Sequence, residues 1–399
     1  MFLSVRFFAM ILFFSLFFTP LTLFSAKADE IGIFERFKKP MMKVPELSQE
    51  DFIAASSPIK DKPYDQESLA YSMRIPKDWT VSGAKSSSNF MLSEKLFLEL
   101  DSFFGPPSAF GRSRIEIQAL NMEKNLTVEQ WYLMYILESG LTTEGFVAHN
   151  ENKVEALMVV MEGDFSYYLR TLVVKNENKI IMVKYFVPVN FMQKEASIQE
   201  AVIGSFEITN PLPPQEITSE IYRFLDVAEL KSPSGWKIYS SPMRSVDYMD
   251  ISMVNLEEVR TKTNSADKVS VSSNGKIDIT LVSTSEKQTL IDEIAAYKKK
   301  IELSGVLIGK KTEGYGDFIY NKDMDFALTE VYLGVDSTNN QTEYEFWFSV
   351  FVGGNYYYFI MLLTPSRNEN FSIWADNIQN YKFIVSSLKP MSGAFLERQ

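Results

Sequence analysis

The chain has 399 residues and a formal net charge of −11, with 51 acidic residues against 40 basic ones. This balance, without a basic stripe, argues against nucleic acid or anionic lipid as a main partner, because both favour clusters of Lys and Arg. With no cysteine and a single histidine, the sequence excludes a disulfide framework, thiol chemistry and the usual zinc sites.

Residues 1–28 have the pattern of a secretory signal peptide. Arg6 precedes the apolar run FFAMILFFSLFF, Pro20 interrupts the apolar region, and an A-x-A pattern ends at Ala28. We therefore predict export, cleavage near Ala28, and a periplasmic or secreted location. A retained transmembrane anchor is the alternative, because residues 7–24 could almost span a bilayer; membrane contact is expected only in that case.

The remaining chain divides into an arm and two domains. Four prolines and no sustained apolar period predict an extended N-terminal arm over residues 29–66. A first domain is predicted over residues 67–210 and a second over residues 220–390. The Pro-rich segment 211–219 would link them, and residues 391–399 would form a short tail.

The first domain shows a clear order of elements. RIEIQAL alternates like a half-buried strand, and Thr127 with Gln130 forms a T-x-x-Q capping box that starts a helix closed by Gly140. The strand-like runs VEALMVVME, YYLRTLVV and KIIMVKYFV follow, the last ending at Pro188. A short helix and the apolar run SFEI complete the domain.

The second domain repeats this order. Asn274-Gly275 between two alternating runs predicts a hairpin. A helix follows with an apolar stripe of Leu290, Ile294, Tyr297 and Ile301, then the strand-like runs FALTEVYLGV, EYEFWFSVFV and YYYFIMLLT. A short helix near residues 371–381 follows. The aromatic run YEFWFSVFVGGNYYYFIMLL is apolar at successive positions, which predicts strands covered on both faces.

Matching signals lie at regular offsets. IPKDWTV and SPSGWKIY each place a Trp after a Pro-containing turn, 157 residues apart. The offset is 162 between Ile115 and Ile277 and 177 between Pro188 and Pro365, and a constant offset of 177 would match Phe206 with Phe383. We interpret this order as a duplicated domain. In each copy, Pro would end a strand and the Trp would close one end of a sheet.

The pattern Y-x-M-x-I-P-K-D-W, its partner S-P-S-G-W and the closing SFEI resemble the PsbP-like fold. This superfamily includes the photosystem II subunit PsbP, the Ran-binding Mog proteins and exported bacterial relatives such as DcrB. The resemblance implies an α+β protein with two tandem domains, each a central antiparallel sheet flanked by helices. It further implies a non-catalytic adaptor or accessory subunit that binds another protein.

Two polar motifs carry little chemistry. His149, in FVAHNENK, is predicted to be a surface residue, because the sequence has no G-x-S-x-G motif and no cysteine for it to serve. Asn321, Asp323 and Asp325 resemble the opening of an EF-hand loop, but Phe326 stands where the loop needs Gly. A solvated turn is the better interpretation, so we predict no metal and no cofactor.

The segment SFFGPPSAFG is the candidate partner-binding site. Phe103, Phe104 and Phe110 are expected on a Gly/Pro loop. If exposed, they would form an apolar patch typical of a protein or membrane contact. The alternative, which the sequence favours, is that they fold back over their own sheet.

These features predict an exported, non-catalytic adaptor for an unknown protein partner, engaged through an interdomain groove or the Phe loop. One alternative is a hydrolase of envelope polymers with a pair of carboxylates in a cleft. Another is a membrane-tethered subunit of a secretion or conjugation apparatus, which requires an uncleaved signal.

Overall fold

The computed structural model describes residues 35–82, 92, 96–122, 124, 126–240, 245, 247–263, 266–284, 289–303, 306–312, 321–336 and 339–391. The predicted signal peptide lies outside these ranges, as does the predicted tail beyond residue 391. No helix within the ranges combines the length and apolarity that a bilayer crossing requires.

The described chain consists mainly of antiparallel strands. The strands are β1 (Ser56–Asp61), β2 (Tyr71–Pro76), β3 (Thr80–Val81), β4 (Leu98–Phe104), β5 (Arg114–Asn121), β6 (Thr143–Asn150), β7 (Lys153–Glu162), β8 (Phe165–Asn176), β9 (Lys179–Pro188), β10 (Glu207–Ile208), β11 (Ser219–Phe224), β12 (Ala228–Pro233), β13 (Trp236–Ser240), β14 (Tyr248–Thr263), β15 (Ala266–Ser283), β16 (Val306–Lys311), β17 (Phe326–Asp336), β18 (Asn339–Gly353), β19 (Tyr356–Pro365) and β20 (Lys389–Pro390). The α-helices are α1 (Gln49–Ala55), α2 (Val128–Glu138), α3 (Met192–Gly204), α4 (Leu290–Leu303) and α5 (Phe371–Ser387).

These strands form two seven-stranded and two three-stranded sheets. The first large sheet has the order β3-β4-β5-β9-β8-β7-β6, and the second has the order β13-β14-β15-β19-β18-β17-β16. The small sheets are β1-β2-β10 and β11-β12-β20. We call the part of the chain up to residue 210 the first half and the part from residue 219 the second half. The strands are connected in the same order in both halves.

The predicted arm is not wholly extended, because it contains α1 and β1. Ser48 caps α1 by accepting a hydrogen bond from the Asp51 amide. β1 pairs along its whole length with β2, so the last part of the predicted arm completes the small sheet of the first half.

Strand register agrees with two of the predicted offsets. Ile115 lies opposite Tyr185 in the first sheet, and Ile277 lies opposite Leu362 in the second. Ile115 and Ile277 are 162 residues apart in sequence, and their strand partners Tyr185 and Leu362 are 177 residues apart, as predicted. Tyr167–Pro188 and Tyr344–Pro365 are likewise opposite pairs separated by 177 residues.

The predicted match of Phe206 with Phe383 is wrong. Ile208 pairs with Tyr71, and Pro390 pairs with Ala228, which places Leu388 where the first half has Phe206. The offset changes because α5 has 17 residues whereas α3 has 13. α5 therefore also includes the run FIVSS, beyond the short helix predicted near residues 371–381.

Both Trp phrases form a turn between a small and a large sheet. β2 and β12 end at the proline of each phrase, as predicted. The residue before each Trp has a positive φ, +66° at Asp78 and +94° at Gly235. Asp and Gly are among the residues that tolerate this region, so both turns place a residue with positive φ directly before the Trp. Trp79 is half-buried, and Trp236 is 7% exposed.

The predicted hairpin at Asn274-Gly275 is wrong. β15 runs through both residues, and its hairpin with β14 turns after Thr263. The register shifts at this point, so that Asn274 is an extra residue in a β-bulge. Gly is needed here for another reason. The Asn377 amide donates to the Asn274 carbonyl oxygen at 2.8 Å, and a Cβ at Gly275 would collide with that amide.

The aromatic strands of the second sheet are covered on both faces, as predicted. Trp347 and Phe351 enter one apolar cluster, which also contains residues of α5. Phe348 and Phe359 enter another cluster with Tyr297 of α4. Each fully buried side chain of this kind stabilises the fold by about 1.5–3 kcal/mol.

Substituting Gly275→Ala should lower the free energy of unfolding by about 1–3 kcal/mol, because the added methyl group displaces the Asn377 amide. Urea denaturation measures the change. Gly204→Ala is the control, since nothing lies near its Cβ position, and it should be neutral or stabilising by about 0.4–1 kcal/mol. Equal stability of the Gly275→Ala variant and the wild type would contradict this account.

Candidate functional site

A polar cleft of about 280 Å³ lies between the two halves, and we call it the central cleft. Its wall from the first half is formed after β5 and at the β8–β9 turn. The opposite wall is formed by the linker, the turn before β13, β14 and α5. Its charged and amide lining residues include Lys124, Lys175, Glu177, Asn255, Asp376 and Asn380.

The first wall presents two partly buried ammonium groups. Lys175 Nζ donates to the Leu126 carbonyl oxygen at 2.9 Å, and burial lowers the pKa of Lys175. Lys124 Nζ donates to Ser372 Oγ at 3.2 Å, so this hydrogen bond joins the halves. In the described part of the chain, neither ammonium group lies within 4.0 Å of a carboxylate oxygen; compare Lys179 Nζ, which lies 2.8 Å from Glu177 Oε2.

The second wall presents a carboxylate in a less polar setting. Burial raises the pKa of Asp376, while the charge of Lys124 and a hydrogen bond from Asn380 oppose this shift. Asn380 Nδ2 also donates to the Asp376 carbonyl oxygen at 2.9 Å, which fixes its side chain over α5. Asp376 and Glu177 both line the central cleft. The alternative hypothesis, a hydrolase, requires a concave surface with two carboxylates of this kind.

Exposed apolar side chains gather at the opposite end of the first sheet. Phe110 lies in the loop before β5, Val189 directly follows β9, and Met161 and Phe165 lie at the β7–β8 turn. These segments lie at the same end of the sheet because β5, β9, β8 and β7 are neighbours in it. The four side chains are 53%, 40%, 73% and 41% exposed, in that order. We call this group the apolar end.

Of the three predicted binding residues, only Phe110 is exposed at the apolar end. The expectation that Phe103 and Phe104 lie on a loop is wrong, because β4 continues to Phe104. Phe103 is 3% exposed and packs in the core, and Phe104 is half-buried under the Arg112 guanidinium, 5.0 Å from the ring centroid. Phe110 contacts Phe191 edge to face, with ring centroids 6.1 Å apart.

His149 belongs to a charged network that the sequence did not reveal. Its Nε2 lies 3.0 Å from Glu155 Oε2, and its side chain is 39% exposed, as a surface residue should be. Glu155 Oε1 lies 3.4 Å from Nη1 of Arg170, and Glu200 Oε1 lies at the same distance. Arg170 is fully buried in β8. The buried charge of Arg170 is thus opposed by two carboxylates of the same chain.

The sequence motif beginning at Asn321 forms a polar turn that anchors α5. Asn321 Nδ2 donates to the carbonyl oxygens of Val385 and Leu388 at 2.9 and 2.7 Å. Asn321 Oδ1 accepts from the Asp323 amide at 3.0 Å. Asn321 is only 3% exposed, so the predicted solvated turn is wrong for this residue: its amide closes the end of a helix.

Replacing Arg170→Met should destabilise the protein by about 3 kcal/mol, because Glu155 would remain largely buried without a cation. The double variant Arg170→Met/Glu155→Gln should recover part of this loss. Chemical denaturation provides the measurement. Arg223→Met removes a 64%-exposed ion-pair partner and should change stability by less than about 1 kcal/mol. Similar effects of the two arginine substitutions would refute the structural role.

No family model matches the chain, and no curated protein matches it. Among solved structures, PsbP from Synechocystis sp. PCC 6803 is 13% identical, covers 42% of this chain and 99% of its own, and has a TM-score of 0.29. The Ran-binding protein Mog1p of Saccharomyces cerevisiae is 11% identical, with coverages of 45% and 98% and a TM-score of 0.29. The T6SS immunity protein TplEi of Pseudomonas aeruginosa is 14% identical, with coverages of 80% and 94% and a TM-score of 0.20. Likeness at this level carries no argument about family or function.

Proposed function

We propose that the chain is an exported, non-catalytic adaptor that binds a protein partner in the bacterial periplasm. In this proposal it consists of two tandem PsbP-like α+β domains, over residues 67–210 and 220–390, each with an antiparallel sheet flanked by helices. The repeated strand order of the two halves supports the duplication.

A matched pair of hydrogen bonds also supports the duplication. In the first half, the Arg74 amide donates to Ser205 Oγ at 2.9 Å, directly after α3. In the second half, the Lys231 amide donates to Ser387 Oγ at 2.9 Å, at the end of α5. Each serine thus ties the closing helix to the central strand of the small sheet. Such a detail is expected of copies and is improbable for unrelated topologies.

The observation that carries the binding proposal is the exposure of Phe110. A Phe ring offers a large apolar contact area, and at 53% exposure much of it faces water. The ring is held by the edge-to-face contact with Phe191, and the Ser108 hydroxyl accepts from the Phe110 amide at 3.2 Å. An apolar ring on an ordered loop binds at a lower entropic cost than a mobile one. With Val189 beside Phe191, the apolar end fits a partner protein with its own apolar surface.

Substituting Phe110→Ser should reduce partner recovery at least about tenfold in pull-downs from envelope extracts, because central aromatic residues dominate interface energies. Phe326→Ser is the matched control: Phe326 is 44% exposed but lies on the second sheet, so its loss should leave recovery unchanged. Circular dichroism checks that both variants fold. Undiminished recovery with Phe110→Ser would rule out the apolar end as the binding surface.

The mature protein should begin at Asp29 if the signal is cleaved after the A-x-A pattern, as the proposed location requires. N-terminal sequencing of protein purified from the envelope fraction measures this. A chain that still carries residues 1–28 and remains with the membrane fraction would instead support the membrane-tethered alternative.

A further inference from the structure

We propose that the central cleft binds a small zwitterion, with the ligand carboxylate on Lys124 and Lys175 and the ligand ammonium group on Asp376. This site is separate from the apolar end and does not depend on the proposed adaptor function. The inference rests on the charge arrangement, the volume of the cleft and its position between the halves.

The two lysines of the first wall would hold the ligand carboxylate. Both ammonium groups are partly buried, yet their described partners are neutral oxygens, the Leu126 carbonyl for Lys175 and the Ser372 hydroxyl for Lys124. Lys175 has therefore lost water without gaining a carboxylate partner, and Lys124 has only the charge of Asp376, more than 4.0 Å away across the cleft. A ligand carboxylate would supply that partner to both groups. The lowered pKa of Lys175 is consistent with this uncompensated burial.

The opposite wall would hold the ligand ammonium group. Asp376 is a partly buried carboxylate whose amide neighbour, Asn380, is fixed by its own hydrogen bond. The Asn255 side chain is likewise held, because its Nδ2 donates to Asn377 Oδ1 at 3.1 Å. A ligand ammonium group facing this wall would meet the Asp376 carboxylate and oriented amide groups, with the exposed carboxylate of Glu216 from the linker at the rim. An inorganic anion would satisfy only the lysine wall.

The size of the cleft limits the ligand. A cleft of about 280 Å³ lies just below the range of small-molecule sites, which is roughly 300–1,000 Å³. It therefore fits an amino acid or a short peptide, not a folded segment. Because Lys124 and Lys175 belong to the first half and Asp376 to the second, the bound zwitterion would bridge the halves.

Isothermal titration calorimetry with triglycine tests the proposal. N-acetyl-triglycine lacks the ammonium group, and triglycine amide lacks the carboxylate. The full-length mature protein should bind triglycine at least about tenfold more tightly than either blocked form. Undetectable binding of triglycine at millimolar concentration would overturn the proposal. Equal binding of a blocked form would also overturn it, because one terminus alone, as in a longer peptide, would then suffice.

Variants assign each charge to its partner. Lys175→Met should weaken triglycine binding about tenfold and reduce the preference over triglycine amide, with Lys124 left as the only cation for the carboxylate. Asp376→Asn should abolish the preference over N-acetyl-triglycine. Lys184→Met is the control, since Lys184 is another partly buried lysine, bound to Gln118 Oε1 at 2.9 Å away from the cleft, and its loss should leave binding unchanged. Retained preferences in both cleft variants would refute the assignment. So would inorganic phosphate binding as tightly as triglycine.

Discussion

The two halves are joined by a shared apolar core, and the shape of the central cleft depends on it. One continuous cluster contains Trp131 and Tyr132 of α2 together with Trp374 and Tyr381 of α5. Polar contacts border it, including the hydrogen bond from Lys124 to Ser372. Packed interiors tolerate little displacement, so the cleft walls are positioned by the same packing that stabilises each half. A site with lysines on one half and a carboxylate on the other needs such a constraint.

Equivalent helices have different surroundings because each half occupies a different place in the pair. Thr127 caps α2 with Gln130, and Thr289, 162 residues later, forms the same reciprocal hydrogen bonds with Asp292 before α4. α2 packs against α5 of the other half. α4, in contrast, leaves an apolar side chain uncovered at its end, since Leu303 is 80% exposed. The local signals that start the helices are the same, but the tertiary contacts are not. The same strand order in the two halves therefore does not give their helices the same surroundings.

Local features were predictable from sequence, and features made by distant segments were not. The capping box at Thr127, the strands β7, β8 and β9 and the two Trp turns follow from period and turn chemistry, all within a few residues. The hairpin prediction at Asn274-Gly275 was wrong because an Asn-Gly pair suits a β-bulge as well as a hairpin turn. Only the contact with the Asn377 amide of α5, which is distant in sequence, distinguishes the bulge from the turn. The loop prediction for Phe103 was wrong because the strand β4 ends directly before Gly-Pro-Pro, which made its last residues look like part of the loop. The cleft residues come from segments far apart in sequence, so no spacing pattern could join Lys175 to Asp376.

β9 separates the two surfaces physically. Its ten residues extend about 30 Å from the turn at the central cleft to Pro188 beside the apolar end. Alternate residues enter different cores: Met182 packs with the shared cluster, while Val183 and Tyr185 pack beneath α3. A strand that is packed on both faces cannot slide or twist freely. We therefore expect that ligand binding in the cleft does not displace Phe110 through a movement of β9.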